Sequence, residues 1–354
     1  MKTTSTFRPR RTGGGDSPPD LGVQLRQRLI GQSAAIESIV PYVEMFQAGL
    51  SPDGRPVGVF LLLGPSGTGK TRTVEALAEV LHGSERNVLK IDCGEFQMEH
   101  EVAKLIGAPP GYLGHRETTP MLSQQKVNAV ASERCDLSLV LFDEIEKAAG
   151  SMARLMLGVL DKATLKLGDN TAVNFDKSLI FMTSNLGAQS MMRELKHGWG
   201  FERIAAVPRH NVGKKLDAIA QNAARRRFAP EFINRIDAMV TYEPLGADAI
   251  EQILDLQLDT LQRHLYERLG TMAFSVTTDD KARAWLIEKG TSLEFGAREL
   301  KRTIQRNILQ PIAGFVSRGG IPPVSTITIT MNEEGDKPVF LLSPGTRSRT
   351  PRAA

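Results

Sequence analysis

Apolar positions along the chain follow two rhythms. Short continuous runs, Val57–Leu63, Leu137–Phe142 and the segment Ser178–Asn185, together with the strand-like Asn87–Asp92, alternate with helical stretches such as Thr71–Leu81. Continuous apolar strands separated by helices predict a parallel sheet covered on both faces, a three-layer α/β unit. Upstream, residues 22–50 carry helical periodicity that breaks at Ile30-Gly31-Gln32 and is punctuated by Pro41, and the polar loop Ser51–Pro56 leads into the first strand. From about Leu245 the pattern changes. A long amphipathic helix, Asp248–Arg268, places Ile250, Ile253, Leu254, Leu258, Leu261 and Leu265 on one stripe. A strand-like segment at Ala273–Thr278, two further helices and the strands Ser325–Thr330 and Pro338–Leu342 follow. The expected organisation is a disordered leader (1–20), a large α/β domain (21–245), a smaller α+β C-terminal domain (246–342) and a disordered basic tail (343–354). There are no internal repeats.

Composition narrows the class. With 354 residues and 41% hydrophobic content the chain can fill two or three cores. No apolar run approaches the roughly 20 residues that cross a bilayer, so no membrane helix is expected. The first twenty residues lack the apolar centre of a secretory signal and leave a transit peptide open. The net charge of +4 is modest, and Arg8, Arg10, Arg11, Arg347, Arg349 and Arg352 put visible excess at the ends, where solvated tails account for it better than a nucleic-acid surface. Two cysteines, Cys93 and Cys135, lack metal-ligand spacing and form no disulfide framework, which fits a reducing cytoplasm.

The chemistry begins at Gly64-Pro65-Ser66-Gly67-Thr68-Gly69-Lys70-Thr71, a GxxxxGK[ST] motif lying between an apolar strand and a helix. In that context backbone N–H groups wrap a polyphosphate at the positive end of a helix, Lys70 reaches the β- and γ-phosphates, and the Thr71 hydroxyl binds Mg²⁺. The nucleotide expected is ATP. The strand Leu137–Phe142 ends in Asp143 and Glu144, at the edge where parallel sheets bind ligands. Asp143 suits the Mg²⁺ shell and Glu144 the orientation and deprotonation of an attacking water; standing alone, the pair would as readily begin a helix. Asn185, at the end of a third apolar strand, joins the site if that strand neighbours the Asp143 strand.

These residues resemble the AAA+ ATPases of the Clp unfoldase and disaggregase group, in particular the C-terminal ATPase module of ClpB-type chaperones. The resemblance rests on RLIGQ, GPSGTGKT, LIGAPPGYLG, LFDEIEKA, FMTSNLGA, FAPEFINRID and FGARELKR, in that order, and covers about Leu21 to Leu342. It implies a P-loop AAA+ fold and a homo-oligomeric, hexameric ring that threads unfolded or aggregated polypeptide through a central pore. It further implies that Ile30 and Gly31 line the adenine pocket and that Asn185 senses the γ-phosphate. Arg235 would be an arginine finger for the next subunit, and Arg298 would reach the γ-phosphate from the small domain. From the residues alone, Arg235 reads equally as a surface ion pair and Arg298 as a helix-start residue.

The loop Gly111-Tyr112-Leu113-Gly114 would grip substrate: glycines free the backbone and the tyrosine offers a face that any side chain can meet. A packed tyrosine in a proline-braced loop is the plainer alternative. Asp161–Phe175 reads as a hairpin around Gly168–Asn170 that would line the same channel. A nucleic-acid motor would use basic residues where this chain has Gly-Tyr-Leu-Gly, although His115 and Arg116 follow; polypeptide is favoured. A non-hydrolysing ATP-switched scaffold is the third reading, and it draws no support from a chain that keeps every expected catalytic residue. Trp199-Gly200-Phe201 resembles the aliphatic-Gly-Phe tripeptide with which Clp unfoldases dock a peptidase ring, but with tryptophan in the aliphatic place, and Gly198-Trp199 ahead of Glu202-Arg203 also resembles ClpB chains that do not dock, so a peptidase partner stays open. Arg203–Arg227 reads as an interface helix or a solvated face. The N-terminal domain, first ATPase module and coiled-coil arm of ClpB-type chains do not fit before Leu21, which leaves substrate delivery open.

Overall fold

The computed structural model describes residues 20–107, 120–197, 209–291 and 296–344. The expected leader and tail, the Tyr112 loop and the Trp199-Gly200-Phe201 segment therefore lie outside the described residues.

Five parallel strands form the main sheet: β1 (Gly58–Leu63), β2 (Leu89–Asp92), β3 (Ser138–Asp143), β6 (Ser178–Ser184) and β7 (Ala238–Thr241), in the order β2-β3-β6-β1-β7. Between β3 and β6 the chain makes a small antiparallel hairpin, β4 (Thr164–Lys166) and β5 (Ala172–Asn174), turned at Asn170 with φ 65°. This is the hairpin expected around Gly168–Asn170.

The continuous apolar runs are explained by a sheet buried on both faces. Along β1, Val59, Leu61 and Leu63 feed one core while Phe60 and Leu62 feed the other. The first core is closed by helices Gly150–Lys162 and Arg209–Arg227, the second by Ser33–Gln47 and Lys70–His82.

Two local expectations need correction, and one strand was not expected. Pro41 does not interrupt its helix but lies exposed inside Ser33–Gln47. It removes one N–H, and a proline inside a helix costs about 3 kcal/mol or more. Ile36, Ile39 and Val43, all buried in the core beneath, hold the helix through it. The helix Arg209–Arg227 is not simply a solvated face, because Leu216, Ala220 and Ala224 are buried in the first core. Strand β7 had no apolar run to announce it. Its place beside β1 is set by Asp237, whose carboxylate accepts from the Val59 N–H at 2.9 Å and pairs with Arg55.

After β7 the helix Ala247–Leu269 opens a smaller unit with its own core of Ile250, Leu254, Leu286, Leu300, Ile308 and Ile329. Its sheet runs β10 (Pro338–Ser343), β9 (Thr326–Met331), β8 (Ser275–Thr278), with β8 parallel and β10 antiparallel to β9. Helix Ala297–Ile304 continues through a π-turn, Gln305–Leu309, into Gln310–Ser317, so that the turn widens just ahead of Pro311. The architecture is a three-layer α/β unit followed by a smaller C-terminal one.

Candidate functional site

The carboxyl ends of β1, β3 and β6 open into a cleft of about 620 Å³ closed on its far side by Ala247–Leu269 and Ala297–Ile304. That volume suits a nucleotide-sized ligand.

Glycine shapes the loop after β1 where the chain comes closest to its neighbours. Gly64 has φ 143°, and a Cβ there would stand 2.5 Å from the Tyr242 carbonyl oxygen at the end of β7. Gly69, with φ 103°, starts the helix Lys70–His82 without a side-chain cap, which leaves N–H groups at the positive end of the helix facing the cleft. Lys70 is 8% exposed, and its Nζ donates to Gly64 O (2.7 Å), Pro65 O (2.8 Å) and Asn185 Oδ1 (2.9 Å). Burial lowers the Lys70 pKa to about 8; the charge of Glu146 opposes this and that of Arg298 adds to it.

The register of the parallel sheet assembles the acidic side. Because Phe142 pairs with Met182, Thr183 comes level with Asp143. The Thr183 hydroxyl donates to Asp143 Oδ1 and accepts from the Glu144 N–H at 3.0 Å. Lys90 Nζ lies 2.9 Å from Asp143 Oδ2, and Thr71 Oγ1 donates to Asp143 Oδ1 at 3.5 Å. Burial acts to raise the Asp143 pKa, but the Thr183 hydroxyl and the Lys90 ammonium outweigh it and the net direction is down. Glu144 has φ 57°, a left-handed conformation that costs a non-glycine residue about 1–3 kcal/mol and clusters at functional sites. Lys147 Nζ (2.5 Å) and Asn185 Nδ2 (3.3 Å) hold its carboxylate.

Thr71 and Asp143 offer hard oxygen donors side by side. That is the set Mg²⁺ uses when it takes one or two carboxylates and leaves its remaining positions to phosphate and water. Among the described residues no three His, Cys, Asp or Glu side chains gather into a metal site.

The cleft brings together Ile30, Ser66, Gly67, Thr68, Gly69, Lys70, Thr71, Asp143, Glu144, Asn185 and Arg298. Ile30 lies at the apolar end with Leu29, Leu245, Ile253 and Leu256. Gly31 is not on the cleft wall but behind it: with φ 76°, a Cβ there would meet Leu245 at 3.1 Å. Gly64 and Pro65 face the cleft less than they frame it, through their carbonyls on Lys70. Arg235 stands outside its own cleft, with Nε 3.1 Å from Asp161 Oδ1, and is about 43% exposed. The residues of the expected grip, Gly111 to Gly114, lie outside the described residues.

Sequence reasoning missed several contributors. Gln32, 5% exposed, donates through Nε2 to Thr68 O (3.0 Å) and Glu243 O (2.9 Å), tying the phosphate loop to the end of β7. Thr183, Lys90, Lys147 and Glu146 were also assigned no role. Gln32, Thr183, Glu146 and Lys147 belong to the quoted blocks and Lys90 does not, but only the folded strands reveal what each touches. Gly296 is the sixth, packed against the loop at Gly67.

The described residues contain no helix long and apolar enough to cross a membrane. The family model for the AAA domain (Cdc48 subfamily) matches residues 55–239, and that for the C-terminal D2-small domain of ClpB protein matches residues 245–329. The chain is 36% identical over 317 residues to the chaperone protein ClpB of Rhodopirellula baltica, covering 90% of this chain and 33% of that protein. It is 40% identical over 316 residues to the ClpB of Pseudomonas putida, covering 89% of this chain and 34% of that one. It thus spans about a third of the length of the curated relatives it matches. A cryo-EM reconstruction of Hsp104 in a closed state with ATPγS and FITC-casein superposes with a TM-score of 0.74 at 26% identity, over 91% of this chain and 51% of that one. With the strand, loop and helix of its phosphate site inside a match that spans more than half of the sequence, the chain belongs to the AAA domain (Cdc48 subfamily) family.

Proposed function

We propose that this chain hydrolyses ATP and uses the cycle to unfold or remodel polypeptide as a subunit of a ring. The observation that carries the proposal is the convergence on one cleft of the Gly64–Thr71 loop, the Asp143-Glu144 pair, Asn185 and Arg298, contributed by four separate segments. Lys70 and the loop amides bind the phosphates, and Thr71 and Asp143 hold Mg²⁺, which when bound neutralises phosphate charge. Glu144 orients the attacking water and accepts its proton. Asn185, already between Lys70 and Glu144, reads the terminal phosphate. Arg298 brings charge from the small unit, and Ile30 faces the base.

Arg235 needs a neighbour to act as a finger, since it is not among the residues lining its own cleft and is accessible beside Asp161. The ring is hexameric by the resemblance. We take residues 21–245 and 246–342 as the two bodies whose relative motion drives the Tyr112 loop along the channel. Support for a polypeptide substrate comes from the ClpB relatives and from the casein-bound Hsp104 likeness.

The test is phosphate release by the parent and by Glu144→Gln, each with unfolded casein and with single-stranded DNA. The parent is expected to hydrolyse ATP and to be stimulated by casein alone, while Glu144→Gln binds ATP without turnover and retains client. Stimulation by DNA alone would transfer the proposal to a nucleic-acid motor.

A further inference from the structure

Glu146 is a third carboxylate at the end of β3, and the chemistry above gives it no task. It is nevertheless heavily engaged. Oε1 accepts from the Asn185 main-chain N–H at 3.0 Å. Its own carbonyl oxygen accepts from Arg227 twice, from Nε at 3.2 Å and Nη2 at 2.8 Å, and the same guanidinium reaches Ala148 O at 3.3 Å. Oε2 is buried and finds no hydrogen-bond partner among the described residues. A buried acceptor left unpaired is costly and calls for a reason. Part of the compensation is electrostatic, because the charge of Glu146 acts on Lys70 more strongly than that of Asp143 or Glu144.

The reason lies in what Asn185 has to do. An ammonium has three hydrogens, and those of Lys70 are all taken: two by loop carbonyls and one by the Asn185 side chain. Lys70 can reach a phosphate only by exchanging a partner, and Asn185 Oδ1 is the partner carried on a rotatable side chain. An asparagine at a strand end that both released Lys70 and let its backbone drift would lose its aim at the terminal phosphate.

We propose that Glu146 is a positioning residue: it pins the main chain of Asn185, braced by Arg227, so that the Asn185 side chain alone is exchanged between Lys70 and the terminal phosphate. The inference rests on the ATPase reading and adds to it a residue that determines discrimination between ATP and ADP.

The experiment compares the full-length parent, Glu146→Ala, Glu146→Gln, Asn185→Ala and the Glu146→Ala/Asn185→Ala double variant. The readouts are kcat, KM and competition of ADP and ATPγS against a fluorescent mant-nucleotide. Misaiming a group that contacts the reacting phosphate costs on the order of tenfold to hundredfold in rate. Glu146→Ala is expected to lose that much kcat, to keep ADP affinity within about twofold of the parent, and to lose its preference for ATPγS, with the double variant no worse than Asn185→Ala. Glu146→Gln keeps an acceptor for the Asn185 N–H and is expected to retain the preference. If the alanine variant fails to fold, the glutamine variant decides: loss of ATPγS preference in a folded Glu146→Gln protein overturns the inference. So do multiplicative losses in the double variant, or equal weakening of ADP and ATPγS. A parent that hydrolyses ATP while Glu146→Ala matches it overturns this inference alone; a parent that releases no phosphate overturns the ATPase reading with it.

Discussion

Gly296 and Gly67 touch backbone to backbone across the two units. A Cβ on Gly296 would stand 2.7 Å from the Gly67 carbonyl oxygen, the same oxygen that accepts from the Ala297 N–H at 3.2 Å. The phosphate loop and the helix that carries Arg298 are therefore in direct contact, with no side chain between them.

Gly296→Ala should accordingly uncouple that helix from the loop. Gly296 has φ 52°, so the substitution adds backbone strain of about 1–3 kcal/mol to the clash. If that strain opens the contact, ATP affinity falls by roughly ten- to a hundredfold at 1.4 kcal/mol per decade. Isothermal titration with ATPγS measures it, and an affinity equal to the parent's would show that the contact carries no coupling.

Lys70 makes stability depend on pH. Its folded pKa of about 8 lies below the ordinary 10.5, because burial disfavours the charged form. Below pH 8 both folded and unfolded chains carry the proton and burying the charge weighs against folding. Between pH 8 and 10.5 the unfolded chain holds more protons, so this contribution to stability rises with pH. Lys70→Met removes the titration. The stability of the parent relative to Lys70→Met should therefore improve as pH increases from 8 toward 10.5, read from urea midpoints of the two proteins at matched pH. A difference independent of pH would contradict the depressed value.

Arg235→Ala separates assembly chemistry from folding. The Arg235–Asp161 pair is well exposed and should contribute less than about 1 kcal/mol to stability. An arginine supplied across an interface can be worth about 10³–10⁵ in rate. The variant should melt like the parent yet lose most of its turnover, and the parent's specific activity should rise with protein concentration as subunits meet. Full activity in the variant would return Arg235 to the surface ion pair seen within one chain.

Tyr112→Ala bears on the grip. ATP hydrolysis without substrate should stay near the parental rate while unfolding of a tagged fluorescent protein stops. Unfolding at the parental rate would leave the tyrosine a packing residue.

The nucleotide site was legible in proportion to how far it is built from neighbours in sequence. Gly64 to Thr71 are contiguous, so one strand-loop-helix motif carries both the glycines and Lys70. Asp143 and Glu144 announce themselves by ending an apolar run. Their partners were not legible, because Thr183 and Lys90 reach Asp143 through strand register, with Asp92 level with Asp143 and Phe142 level with Met182. Strand β7 escaped for a related reason: four residues, only one of them fully buried, carry little periodicity, and β1 and Asp237 place them. Pro41 misled in the opposite direction, since a local propensity was overridden by the core beneath the helix.

Local chemistry in the sequence determined the phosphate loop, the paired carboxylates and the alternation of buried strands with helices, because each of these is written in residues adjacent along the chain. Tertiary structure alone decided which strands lie side by side, hence that Asn185 stands between Lys70 and Glu144, that Glu146 holds Asn185 and that Arg235 pairs with Asp161 outside its own cleft. Hydrogen bonds across a sheet depend on strand order and register, and those are settled by the packing of the whole chain.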